Sequence, residues 1–472
     1  MVSADEEMLG TLAEYALSFS AAGAAGAAVR SASLAAIADG AACLVGGTRE
    51  DFGHVLHDYA RTVGMASSVG LSSVVASQLR AAPSAAAYVN AAAGHALCYD
   101  DTSNAMMGHP TVVILPAVLA VGEHVGCSGA ELLDAYAVGV EISVRVSAML
   151  APGHYLRGWH ATGTSAGLGA AAAASRLLGL DRTQCERAIA IAATSAQGLR
   201  ANFGSMAMIY HAGLAARGGV DAAYLAEAGM TAAPNPLTGP IGYFSMFDGG
   251  DHAPSAVGRA LKLGDPMELV DPGLDVKPYP CGSLAHRAIQ AVLQLRATHA
   301  IEAARVRRVI CRLPELHQEV LVHMQPTTTL ASRISLVYPV SVALLNGSCA
   351  LRDFTPELLH SQEVQSLMRK ISIEPLDTAR DRGVDLFAAP AQVEIELDDG
   401  TSYEQTVKDV KGSPQNPLSP AERQAKFDEC VVQSLGERGA ERLQHELESL
   451  ERLSDVRRLI AALTDVSESV AP

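Results

Sequence analysis

Aromatic residues are scarce in this chain of 472 residues: Phe, Trp and Tyr together make up 4%, although 49% of the residues are hydrophobic. A core with so few rings must be built from Ala, Leu, Val and Ile. Alanine has the best helix propensity and little side-chain entropy to lose, so its abundance favours closely packed helices. Basic charge is also short, and the net charge is −16. That sign repels nucleic acid and anionic lipid, and no basic stripe offers a local exception, so neither is expected as a partner.

The eight cysteines (43, 98, 127, 185, 281, 311, 349 and 430) contain no Cys-x-x-Cys pair. Scattered through apolar runs, they read as free buried thiols in a reducing compartment rather than a disulfide framework. A zinc site would call for closer cysteines or histidine partners at helical offsets. The spacing shows neither, and no metal is expected. The apolar stretches Pro110 to Gly122 and Gly163 to Leu180 are too short or too rich in Ala and Gly to read as membrane spans. The start, Met-Val-Ser-Ala-Asp-Glu-Glu, is acidic where a targeting signal would be basic, so the expected location is cytoplasmic. Asp248-Gly-Gly-Asp and the Ala/Gly runs match neither a Walker loop nor a glycine fingerprint following a strand. No Gly-x-Ser-x-Gly run is read either, so nucleotide chemistry and serine hydrolysis are poorly supported.

The length exceeds what one hydrophobic core normally serves, so two domains are expected. The pattern is mainly α. Helical segments dominate residues 1–267, including Ser84 to Cys98, Pro110 to His124, Ser128 to Leu150 and Ala161 to Leu178, with Asp181 placed to cap the next helix. Across 268–410 β-branched alternation appears at Arg305 to Leu313. It is clearest where Val393, Ile395 and Leu397 alternate with acids ahead of an Asp399-Gly400 turn. This reads as a smaller α+β lid domain. After a Pro-rich connection, residues 411–472 return to helix, as though re-entering a large all-helical first domain.

Four loci combine ionisable groups with Gly or Pro. Asp100-Asp101-Thr102 precedes His109, which is held between Gly108 and Pro110. An isolated Asp-Asp-Thr serves more readily to end and cap a helix, but His109 between two apolar helices is harder to dismiss. Trp159-His160-Ala-Thr162-Gly-Thr precedes an expected helix, whose free N–H groups and hydroxyls suit an anion as well as they suit ordinary capping. Lys277, in the Pro-bounded run Lys277-Pro-Tyr-Pro-Cys281-Gly, is placed to anchor a carboxylate or, desolvated, to act as a base. A surface Lys is the alternative. Tyr338, before Pro339 at the mouth of an apolar helix, could donate to an oxyanion or simply fill the core.

In this order, the loci resemble the MmgE/PrpD family over nearly the whole chain. His95-Ala-Leu-Cys-Tyr-Asp-Asp-Thr102, His109-Pro-Thr-Val-Val-Ile-Leu-Pro-Ala117, Gly158-Trp-His-Ala-Thr-Gly163, Lys277-Pro-Tyr-Pro-Cys-Gly282 and Gly412-Ser-Pro-Gln-Asn-Pro417 carry the likeness. The resemblance implies a homodimeric enzyme without metal or cofactor, made of a helical domain and an α+β lid. It places Asp101, Thr102, His109, His160, Lys277 and Tyr338 at the active site, with Thr162, Met208 and Cys281 as further substrate-binding candidates. Its chemistry is proton transfer at a carbon beside a carboxylate of a small organic acid. A lyase (dehydratase or decarboxylase) is expected first, an epimerase second, and a non-catalytic binding member third. Two departures stand out. Met208 occupies a position where the family commonly has Lys, and Cys98 one where an acid is common. Loss of a charge-assisted anchor, worth about 1.5–3 kcal/mol, points away from a tricarboxylate substrate.

Overall fold

The computed structural model describes residues 4–24, 26–248, 262–376 and 389–466. The run at 249–251, set aside above as a phosphate loop, and the first three residues lie outside them. The described chain is mainly helical, with small sheets.

Ala- and Gly-rich helices form the larger packing unit. Pro83–His95, Thr111–Val125 and Met206–Glu227 lie at its centre and are buried on most faces. Gly129–Ala148 opens on a Ser128/Glu131 capping box and Arg182–Thr194 on an Asp181/Gln184 box, the latter as its sequence predicts. Small residues set the spacing: a Cβ added to Gly169 would sit 2.2 Å from the Gly139 carbonyl oxygen of the neighbouring helix. This is how a core poor in aromatics reaches native density.

The helix Ala27–Gly47 is long and apolar enough to cross a membrane, a candidate the sequence reading passed over. Its far half is buried, and its Gly47 abuts the Ala93 carbonyl too closely for a Cβ. It packs against Pro420–Glu448, the long helix near the C-terminus.

Two expectations are corrected. The first part of the chain is not all-helical: Ala66–Ser67, Ser72–Ser73 and Arg80–Ala81 form a small antiparallel sheet. The buried Glu123 carboxylate accepts from the Ser73 N–H and hydroxyl, and Asn90 binds the Val75 N–H and the Ser73 carbonyl. These partners replace helical hydrogen bonds in a Ser-rich segment of low helix propensity. The helix expected from Ala161 to Leu178 is broken into Ala161–Thr164 and Ala166–Leu177, with the Ser165 hydroxyl and Tyr243 OH joined at the break.

A second cluster of buried side chains gathers residues 281–407 around a four-stranded sheet ordered Ile371–Pro375, Val306–Leu313, Ala391–Leu397, Ser402–Val407. The first pair is parallel and the others antiparallel. Val393, Ile395 and Leu397 are buried in alternation with Glu394 and Glu396, as the pattern predicts. The helices His286–His299 and Val337–Asn346 pack together over this cluster.

Candidate active site

Two adjacent strand-like contacts bring the sequence-distant loci together. After Pro83–His95 ends, Cys98 takes a left-handed conformation (φ 51°) that turns the chain back on itself. Thr102 then exchanges both backbone hydrogen bonds with Asp275, at 2.9 and 2.8 Å. That bridge delivers Lys277 to Asp100. In the same loop, Gly108 lies against Thr162, whose hydroxyl accepts from the His109 N–H at 3.0 Å. The His160 N–H in turn donates to the Gly198 carbonyl, placing His160 beside His211 of the helix Met206–Glu227.

The result is a small cavity between these segments. His95, His109, His160, Lys277, Thr102 and Ser283 supply its polar groups. Cys98, Met107, Phe203, Met208, Leu284 and Ile334 make much of the remainder apolar. A larger, more open cleft lies beyond Leu97, Tyr99 and Pro278, but no histidine lines it.

Asp100 organises the polar side. Its Oδ2 lies 2.9 Å from His95 Nδ1 and 3.4 Å from His109 Nδ1, and its Oδ1 lies 3.9 Å from Lys277 Nζ. Burial alone would raise its pKa, but His95, His109 and Lys277 outweigh burial and hold the carboxyl far below its usual range. Lys277 also donates to the Cys98 carbonyl at 3.0 Å. His109 Nδ1 lies 2.7 Å from the Asp101 carbonyl, which can only accept, so the ring proton sits on Nδ1 and Nε2 keeps its lone pair. Burial, then the nearby Lys277 charge, pushes His109 down to about 3, and the ring is neutral at pH 7. Burial likewise lowers His160 well below its ordinary value and His211 to about 4. Their Nδ1 atoms lie 3.1 Å apart and share one proton.

Of the residues singled out from the sequence, Thr102, His109, His160, Met208 and Lys277 line this cavity, and so does Cys98. The other four sit behind or beside it. Asp101 is buried against the Thr111 hydroxyl, and burial pushes its carboxyl up to about 7. Thr162 is committed to the His109 N–H. Tyr338 is fully buried in the second cluster and donates to the Asp353 carbonyl, so its hydroxyl has an internal partner in place of an oxyanion. Cys281 is fully buried beside Cys349 and His286; burial would raise its thiol, but those neighbours bring it down to about 5. Its neighbours Gly282 and Ser283 form the wall instead. At the helix start after His160, the Gly163 and Thr164 N–H groups make the first internal bonds, to the His160 carbonyl.

Sequence reasoning missed His95, Asp100 and His211 as site members, though all three stand inside quoted motifs or next to them. It also overlooked that Gly163-Thr-Ser165-Ala-Gly167 has the Gly-x-Ser-x-Gly spacing of a hydrolase nucleophile. The structure removes that reading: Ser165 is fully buried between two helices, is preceded by no strand, and pairs with Tyr243.

Three imidazoles and one ammonium line this cavity, set among Ala-rich helices beside an α+β unit. The MmgE/PrpD N-terminal domain matches residues 10–255 and the C-terminal domain residues 279–452, and the chain belongs to the MmgE/PrpD family. It is similar to cis-aconitate decarboxylase of Homo sapiens, 26% identical over 422 residues covering 87% of this chain and 85% of the relative. The cis-aconitate decarboxylase-like protein oryM of Aspergillus oryzae is 29% identical over 422 residues (84% and 85%). The cis-aconitate decarboxylase of Aspergillus terreus is 27% identical over 452 residues (90% of each).

Proposed function

We propose that the protein is a lyase that moves a proton at the carbon beside a carboxylate, releasing carbon dioxide or water from a small organic acid other than a tricarboxylate. The observation that carries this reading is the convergence of Lys277, neutral His109 and His160 on one largely apolar cavity. Named relatives that are decarboxylases support the lyase class.

In this reading Lys277 binds the substrate carboxylate, its own position fixed by Asp100 and the Cys98 carbonyl. His109 Nε2 takes or returns the proton, because its Nδ1–H is tied to the Asp101 carbonyl. His160 serves as acid or base according to which ring of the His160–His211 pair holds the shared proton. Burial makes these rings weak bases in the free protein. An anionic substrate beside them offsets that burial and raises their proton affinity within the complex. The Thr102 hydroxyl, buried without a hydrogen-bond partner among the described residues, is placed to donate to the developing enolate-like oxygen.

Met208 and Cys98 in the cavity wall support a substrate with fewer carboxylates and a more apolar body. The residues 268–410 act as a lid over the helical body, and the active unit is a homodimer. Proton NMR in deuterium oxide with a panel of dicarboxylic and apolar hydroxy or unsaturated acids tests the function. Solvent deuterium in the product, with olefinic or decarboxylated signals absent in His160→Ala, is expected. Exchange without net loss of water or carbon dioxide would replace the lyase by an epimerase.

A further inference from the structure

The spacing of histidines along the chain gives no hint of a metal site, but the fold creates a three-histidine cluster. One ring nitrogen from each of His95, His109 and His160 lies within 4.8 Å of the other two. A tetrahedral zinc ion about 2.1 Å from each nitrogen would set them about 3.4 Å apart. The widest pair therefore has to close by at most about 1.4 Å, within the reach of small side-chain rotations.

Each of the three rings has its Nδ1 atom held by a polar neighbour. A ligating histidine characteristically gives its second nitrogen to a carboxylate, a backbone carbonyl or water, which fixes the ring and its tautomer. His95 Nδ1 meets the Asp100 carboxylate at 2.9 Å, and His109 Nδ1 meets the Asp101 carbonyl at 2.7 Å. His160 Nδ1 meets His211 Nδ1 at 3.1 Å. The remaining nitrogen of His95 is buried without a hydrogen-bond partner among the described residues. Lys277, the ammonium lining the same cavity, is turned to the Cys98 carbonyl and toward Asp100, so the charges of Lys277 and Asp100 offset each other.

We infer that His95, His109 and His160 form a binding site for one borderline transition-metal ion, zinc or cobalt(II), with the fourth position open to water or a substrate carboxylate. Three imidazoles suit such an ion and do not suit magnesium or calcium, which take oxygen ligands. Occupation would consume the lone pairs that proton transfer uses, so the bound ion acts as a reversible inhibitor. That consequence rests on the function proposed above; the binding itself does not.

Cobalt(II) titration of the metal-stripped full chain, followed by visible absorption, tests the site. One saturating equivalent with the intense bands of tetrahedral coordination, displaced by zinc, is expected. His95→Gln and His160→Gln should each weaken binding at least 10-fold, with His299→Gln, on an exposed helix end, leaving it unchanged. Imidazole NMR of the wild-type protein with zinc, shifting three rings together, serves if the variants do not fold. Absence of saturable binding, or binding that survives both cluster substitutions, overturns the site. Zinc binding without loss of turnover overturns the inhibitory role alone.

Discussion

Asp100 and Asp101 are neighbours in the chain and equally hidden, with 1% and 2% of their surfaces exposed, yet they belong to opposite electrostatic regions. On the cavity side, Asp100 faces His95, His109 and Lys277 and is held ionised. On the core side, Asp101 faces Thr111, with Tyr136 behind it, and burial brings its carboxyl to about 7. Burial costs both carboxylates the same kind of desolvation energy. The difference lies in which cations reach each side chain, and a strand-like bridge to Asp275 decides that for Asp100 by bringing in Lys277.

Removing the charge on the cavity side has the largest expected effect. Asp100→Asn leaves Lys277 buried without a countercharge, a loss of about 3–5 kcal/mol in stability by denaturant unfolding. Turnover should fall with it. A stability change below about 1 kcal/mol would show that Lys277 does not depend on this carboxylate.

The pH dependence of unfolding sharpens the contrast, because the two acids have opposite signs. Asp101 has a raised pKa in the folded state, so its contribution is present below the unfolded value near 4 and is lost as pH rises through about 7. Three units correspond to at most about 4 kcal/mol. Asp100 has a depressed pKa, so its contribution is present above about 4 and is lost as pH falls below it. The buried histidines, whose pKa values are lowered, act in the opposite sense over the same range. Asp101→Asn should therefore make the slope of stability between pH 4 and 7 more positive than in the wild-type protein, and an unchanged slope in that variant would refute the assignment.

Within the cavity, Met208→Lys should raise affinity for citrate-like tricarboxylates by roughly 10- to 100-fold, the worth of one charge-assisted anchor. No increase at all would remove Met208 from the specificity argument. The smallest change is expected from Tyr338→Phe, which deletes only a hydrogen bond to the Asp353 carbonyl. Stability should drop by about 1 kcal/mol and kcat stay within about twofold. A large loss in kcat would restore Tyr338 to the reacting groups.

Much of the helical architecture was legible because Ala-rich periodicity and capping residues act over a few positions. Asp181 caps where its spacing predicts, and Val393, Ile395 and Leu397 alternate as read. The small sheet at residues 66–81 was not legible, since its stability comes from Glu123 and Asn90 on later helices. In the site, His109, His160, Lys277, Thr102 and Met208 were chosen from local motifs and line the cavity. Tyr338 and Cys281 came from the same kind of signal but turn to partners within the second cluster, Asp353 and Cys349.

The sequence by itself determined the family, the helix-forming composition, the main strand alternation and the residue types available for acid chemistry. Those follow from short-range propensity, periodicity and motif order. Only the tertiary structure decided that Asp100 is held ionised while burial raises the Asp101 carboxyl, and that His95, His109 and His160 meet. Both depend on desolvation and on charges brought within a few ångströms by chain segments far apart in sequence, and local spacing encodes neither.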